Sequence, residues 1–202
     1  MSANTALQAG TDAESEGVRE RILEIAIHRF ASQGYSETST REIVEAAGCT
    51  KPALYYHFES KAGLFRSAVE LAHRRVDGAD EPEPVGLSFR ESLRHSLTRL
   101  AKHVTANPDD LRLLFRADSY AVLGSDLVDT RSLRAGHIEL ASEILRAGIE
   151  AGEVRADLPV EEAAISLIGM LHLHLQLWLE GRPLADDFAE RMVSIYMDGV
   201  TR

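Results

Sequence analysis

The sequence predicts an all-α protein in two parts: an N-terminal three-helix helix-turn-helix domain joined to a C-terminal helical domain. Three observations carry this. Apolar residues recur at helical period along nearly the whole chain, Gly and Pro fall where the periodic stretches end, and strand-like alternation is confined to LHLHLQLWL at 171–179. That exception is read as helix. Pro159, Glu161 and Glu162 on one side and Gly181 on the other frame a segment of helix length.

Taken in order, the first helix rests on Val18, Ile22, Leu23, Ile25, Ala26, Ile27 and Phe30, a wide apolar stripe that Gly34 terminates. The sixteen residues 1–16 combine Ser, Ala, Gly and acid without an apolar stripe and read as a flexible tail. Ser39 stands three residues before Glu42, the spacing of a reciprocal capping box, and starts a second helix that turns Ile43, Val44, Ala46 and Ala47 inward and stops at Gly48. Thr50 can cap a third helix, with Pro52 tolerated in its first turn and ALYYHF following. Glu59 and Ser60 break it, and a fourth helix runs from Lys61 to about Val76 on Leu64, Phe65, Ala68, Leu71 and Ala72. The stretch DGADEPEPVG, 77–86, is a connector. Five further helices are expected at roughly 88–106, 109–122, 126–151, 159–180 and 186–200, separated at Asn107-Pro108, Gly124, Gly152 and Gly181-Arg182-Pro183. The expected division is thus a flexible tail at 1–16, a helix-turn-helix domain at 17–77 and a C-terminal helical domain at 78–202.

Charge separates the same two parts. The chain carries a formal net charge of -10, yet residues 19–75 hold nine Lys and Arg against seven Asp and Glu, leaving 13 basic and 25 acidic residues elsewhere. One part tolerates phosphate while the other repels it. The single cysteine, Cys49, cannot form an intrachain disulfide and reads as a small buried hydrophobe. No signal-peptide pattern opens the chain, and 162–180 is interrupted by Ser166, His172, His174 and Gln176; a cytoplasmic protein without a membrane partner is expected.

Two short helices joined at Gly48 suit a helix-turn-helix, whose second helix enters the major groove. Thr50, Lys51, Tyr55, Tyr56 and His57 offer hydroxyl, ammonium and ring donors in succession, while Leu54 and Phe58, four apart, can anchor that helix in the core. Ser39 is first a cap, and Thr40 and Arg41 beside it are exposed donors able to reach phosphate.

The whole string GYSETSTREIVEAAGCTKPALYYHFESKAGLF, 34–65, closely resembles the DNA-binding segment of the tetracycline-repressor (TetR) family, and the resemblance extends over about residues 17–77. It implies an all-helical homodimer on double-stranded operator DNA, a divergent C-terminal effector domain, and repression relieved by a small molecule. It also implies a phosphate contact for Lys61. Cys49 and Pro52 depart from residues common in the family; Pro52 and Ala53 lie near the base edges, so the operator sequence does not carry over.

Beyond the connector only side-chain pattern speaks. On the penultimate helix Met170, His174 and Trp178 form a stripe with Leu167 and Leu171 alongside, which suits an effector pocket of mostly apolar lining; Arg116 and Tyr120, four apart, could bring a donor pair to it. Ser166, Gly169, Leu173 and Gln176 lie on another side, and with Phe188, Met192, Ile195 and Gly199 of the last helix they are the candidate dimer interface.

No cofactor or metal site is expected, because His172 and His174 point about 200° apart on a helix and cannot share an ion. Catalytic residues are not expected either. Only one Glu-x-x-His motif occurs, Glu70 to His73, where a di-iron four-helix site takes two, and no phosphate-binding glycine loop, G-x-S-x-G or H-E-x-x-H is present. The alternative to a ligand-released repressor is a DNA-binding regulator controlled by a partner protein or lacking an effector.

Overall fold

A computed structural model describes residues 3–78, 84, 86–122 and 127–200. Among them the chain forms helices α1 (Ala3–Gln33), α2 (Thr40–Ala47), α3 (Lys51–Phe58), α4 (Lys61–Asp77), α5 (Phe89–Ala106), α6 (Pro108–Val122), α7 (Thr130–Glu150), α8 (Val160–Leu179) and α9 (Phe188–Val200), and no strand. Residues 171–179 are helical. The expected connector at 77–86 and the break at Gly124 lie largely outside the described residues.

Local chemistry accounts for most of the boundaries. Gly34 and Gly48 adopt positive φ, +84° and +62°, after α1 and α2, as helix ends with a left-handed residue require. Pro108 opens α6, where its missing N–H costs nothing. Asp129 caps α7 by accepting the Ser132 N–H at 3.1 Å, so that helix begins at Thr130. The reciprocal box expected at Ser39 and Glu42 does not form: Ser39 Oγ instead accepts the amide of Arg41 at 3.1 Å, one residue early. A full box forms at Ser88 and Glu91. Helix α1 also starts well before residue 17, at Ala3, in place of the expected tail. Ala, Leu, Gln and Glu in 3–16 are good helix formers, and extending a helix already nucleated is far easier than starting one.

The described chain divides into two compact units, residues 1–74 with 109–128 and residues 75–108 with 129–202. In the first unit Ile22, Ala26 and Phe30 of α1, Ile43 of α2, Leu54 of α3 and Phe65 of α4 are fully buried. Ala46, expected inward, is exposed. It lies one residue before Ala47 and so about 100° round the helix from that buried position. Helix α6 belongs to this unit, adding buried Leu111, Leu113 and Ala117. A cut after residue 77 would leave it with the other unit, and the chain does not divide at a single point.

In the second unit α7 packs on α8 and α5 on α9 around Phe89, Leu97, Leu145, Leu167, Met192 and Val193. Tyr196 is buried there, donating its hydroxyl to the Ala163 carbonyl at 2.9 Å, and burial pushes its pKa up to about 12. Helix α8 is long and apolar enough to cross a membrane by length and composition alone, but Ala163, Ala164, Leu167 and Leu175 are buried within this unit.

Gly34 sits where α6 meets the end of α1, and a Cβ there would come within 2.7 Å of Tyr120 Oη and 3.2 Å of Arg116 Nη1, whereas a Cβ on Gly48 would meet nothing within 4 Å. Both residues carry positive φ, so both substitutions to Ala are strained, by about 1–2 kcal/mol. Gly34→Ala should therefore lower the unfolding free energy in urea more than Gly48→Ala does. Equal losses would show that α6 yields freely at this corner.

Candidate nucleic-acid interface

The helix-turn-helix is built by anchoring α3 from one side only. Leu54 and Phe58 are buried, and Arg19 of α1 lies 5.6 Å from the centre of the Phe58 ring, closing the core beneath it. At a helical pitch this leaves the other faces of α3 outward. Tyr56 is 81% exposed, Tyr55, Lys51, Pro52 and Thr50 are exposed, and Ala53 and His57 are half-buried. The exposed tyrosines are not core residues. His57 packs edge-on to Tyr56 with ring centres 5.2 Å apart, which supports the Tyr56 ring.

The helix ends bear on the same surface. Thr50 Oγ1 accepts the Ala53 N–H at 3.3 Å, fixing the start of α3, and Gly48 and Cys49 return their amides to Glu45 and Val44 at 3.3 and 3.0 Å, which sets the tight turn. Cys49 is half-buried, and burial pushes its thiol pKa up against the opposing pull of Arg21, which disfavours the thiolate. On α2, Ser39 and Arg41 are exposed and Thr40 half-buried. Arg41 donates from Nε to Glu45 Oε1 at 2.7 Å. Glu45 was not a candidate; the i, i+4 spacing of Arg41 and Glu45 is the signal that would have found it.

Lys61 also engages the protein itself. Its Nζ donates to the Ser36 carbonyl at 3.3 Å and lies 4.5 Å over the Tyr35 ring, tying the start of α4 to the loop before α2. That loop is held again from α6: Tyr120 Oη accepts the Tyr35 N–H at 3.0 Å, and Arg116 donates Nε to Ala31 O at 2.8 Å and Nη2 to Ser32 O at 3.1 Å. Arg116 thus satisfies carbonyls that the end of α1 leaves open. His28 and Asp109 make a third tie at 2.7 Å. Arg116 and Tyr120 belong to the first unit, while the other pocket candidates, Leu167, Met170, Leu171, His174 and Trp178, belong to the second.

In that second unit Leu167 is buried, and Met170, Leu171, His174 and Trp178 are half-buried. His174 donates Nδ1–H to the Met170 carbonyl at 2.8 Å and faces Phe188 at 5.9 Å between ring centres. It opens onto a hollow of about 240 Å³ lined also by Arg182, Leu184, Phe188, Met192 and Ile195. Of the dimer candidates, Ser166, Gly169, Leu173 and Gln176 form one exposed stripe on α8, and Ile195 and Gly199 are exposed on α9. Phe188 and Met192 instead fill the protomer's own core, because they lie on the face of α9 turned toward it.

The profile of bacterial regulatory proteins of the tetR family matches residues 22–68. The chain is 29% identical over 181 residues to the HTH-type transcriptional regulator AcrR of Shigella flexneri, spanning 84% of this chain and 81% of that protein. It is 26% identical over 186 residues to the HTH-type transcriptional repressor KstR2 of Rhodococcus jostii, spanning 91% of each. A TetR-like regulator from Rhodococcus sp. RHA1 shares the fold with a TM-score of 0.69 and 26% identity, over 90% of this chain and 94% of that one.

Lys51→Ala and Tyr56→Phe should weaken binding to a specific duplex while leaving thermal unfolding unchanged, since both side chains project from a helix anchored elsewhere. Loss of a phosphate contact at Lys51 should also reduce the slope of log K against log salt by about 1. Unaltered affinity in both variants would remove α3 from the interface.

Proposed function

Since this chain is a transcriptional regulator of the TetR family, we propose that it is a homodimeric repressor released from a near-palindromic operator by a small-molecule effector. The observation that carries the DNA half of this reading is the outward set on α3, Lys51, Tyr55 and Tyr56, on a helix whose opposite side is locked by Leu54 and Phe58. With Ser39, Thr40, Arg41, Thr50, Pro52, Ala53 and His57 it forms the DNA-facing surface, and Lys61 supports it by fixing the loop at Ser36. The protein acts where the chromosome is, in the cytoplasm.

Dimerisation rests on the exposed stripes of the second unit. Leu173 is 55% and Ile195 61% exposed, a cost in a lone protomer that a second copy removes. Gly169 and Ser166 between them allow close helix approach. Two copies related by a two-fold axis then present two recognition helices to inverted half-sites about 34–36 Å apart, so any ligand that favours another dimer geometry must lose DNA affinity reciprocally. The effector enters beside the Met170, His174 and Trp178 stripe, of which His174 alone lines the hollow, together with Phe188. Helix α6 transmits the change, because the chain leaves the second unit after Pro108, contributes α6 to the DNA-binding unit and returns at Asp129.

Sequencing of DNA fragments retained by the purified protein should return a near-palindrome, and repeating the retention against a metabolite panel should identify compounds that release it. Leu173→Glu should yield monomers in sedimentation and reduce operator affinity at least tenfold, since each half-site is then bound alone. With a releasing compound in hand, the Met170→Ala, Trp178→Ala variant should hold operator without responding. Full-affinity binding of a single half-site by a monomer would contradict the dimer reading, and normal release by that variant would contradict the pocket.

A further inference from the structure

We propose that His73 and Asp77 of α4 and His137 of α7 form a binding site for a divalent transition-metal ion of the zinc type. The inference stands apart from the DNA and effector readings, since none of the three residues belongs to either. Helix α4 runs unbroken from Lys61 to Asp77, so His73 lies one turn before Asp77 and on the same face. His137 closes on Asp77 from α7, its Nε2 3.0 Å from Oδ1 and 3.2 Å from Oδ2. One ligand atom from each of the three lies within 4.8 Å of the other two. Ligands about 2.0–2.2 Å from a tetrahedral ion stand about 3.3–3.6 Å apart, so rotation of the side chains is enough to complete the set. Two imidazoles and a carboxylate supply three protein ligands. The side chains of His137 and Asp77 are 37% and 31% exposed, which gives an ion a way in and leaves a fourth position to water.

The surroundings select the class of ion. Arg99 of α5 donates Nη2 to the Asp77 carbonyl at 2.6 Å and Nη1 to the Gly78 carbonyl at 3.4 Å, holding the end of α4 and with it the Asp77 backbone. Gly78 takes positive φ, and a Cβ on it would collide with the Arg99 guanidinium. The same guanidinium opposes a cation that is held by charge attraction alone. Magnesium and calcium depend on several oxygen ligands and find one carboxylate among these three residues, whereas zinc, cobalt and nickel gain from imidazole nitrogen. An ordinary ion pair accounts for Asp77 and His137 and leaves the convergence of His73 unused. Spacing along the chain could not show this set, because Asp77 and His137 are 60 residues apart, and the expectation of no metal was argued from His172 and His174. The lone Glu-x-x-His motif, Glu70 to His73, contributes through its histidine.

The test is titration with zinc, followed by calorimetry and by thermal unfolding, of the full-length protein stripped with a chelator, beside His73→Gln and His137→Gln. Wild type should take up one zinc ion per chain and melt at a higher temperature with it, because an ion held by the folded chain alone stabilises that chain. Magnesium at the same concentration should do neither. Each variant should lose affinity by about tenfold or more, and with it the zinc-dependent rise in melting temperature, while His172→Gln behaves as wild type. Two variants keep the test clear of misfolding. Gln at 137 retains an N–H donor for Asp77, the change at 73 leaves the Asp77–His137 bond in place, and melting without metal reads the fold of each. A purely structural His137–Asp77 pair would lower the metal-free melting temperature of His137→Gln and leave the response to zinc the same in every variant. Absence of zinc binding by the wild type, or wild-type affinity in either variant, would overturn the proposal and leave the DNA-binding reading untouched.

Discussion

The end of α1 is a corner where three elements are fastened, and the position of the DNA-facing surface depends on that fastening. Gly34 makes the bend possible by adopting positive φ, and the absent Cβ lets Arg116 and Tyr120 of α6 approach the carbonyls of Ala31 and Ser32 and the amide of Tyr35. Lys61 grips the same loop from α4 through Ser36 O. Phe30, Tyr35, Phe65 and Tyr120 continue the contact as an aromatic cluster with ring centres 5.0–6.1 Å apart. Without these ties α2 and α3 would still be amphipathic helices, but nothing would fix the loop that leads into them.

A surface that binds a polyanion has to be exposed, polar and rigid together, and the first unit meets these demands with different residues. Rigidity comes from Leu54, Phe58 and the helix caps at Ser39 and Thr50; polarity comes from Lys51, Tyr56 and Arg41, which take no part in the core. The positive balance is modest, nine basic against seven acidic residues over 19–75, in a chain of net charge -10. Such a protein gains little from indiscriminate attraction to DNA. Selectivity then has to come from oriented contacts.

Much of the fold was legible in the sequence, because helix period and turn residues are local. The α2–α3 turn at Gly48, the inward Leu54 and Phe58 and the outward Tyr56 follow from spacing alone. Two things were not legible. The place of α6 depends on contacts between residues about 85 apart, Arg116 with Ala31 and Tyr120 with Tyr35, and an i, i+4 donor pair looks the same whether it faces a ligand or a helix end. The last helix presents Phe188, Met192 and Ile195 at helical spacing, and spacing does not say which of two apolar faces a protomer keeps for itself. Burial divides them, with Phe188 and Met192 in the core and Ile195 outside it. The capping box assigned to Ser39 formed at Ser88 instead, since both carry the same local signal.

Amide hydrogen exchange with and without a bound operator duplex tests the central claim, that α2 and α3 are the DNA-facing elements, most directly. The account predicts new protection concentrated over residues 39–61, with a smaller gain at the α1 corner around 31–36 where α6 is fastened. Protection confined to 130–200, with 39–61 exchanging as in the free protein, would contradict it.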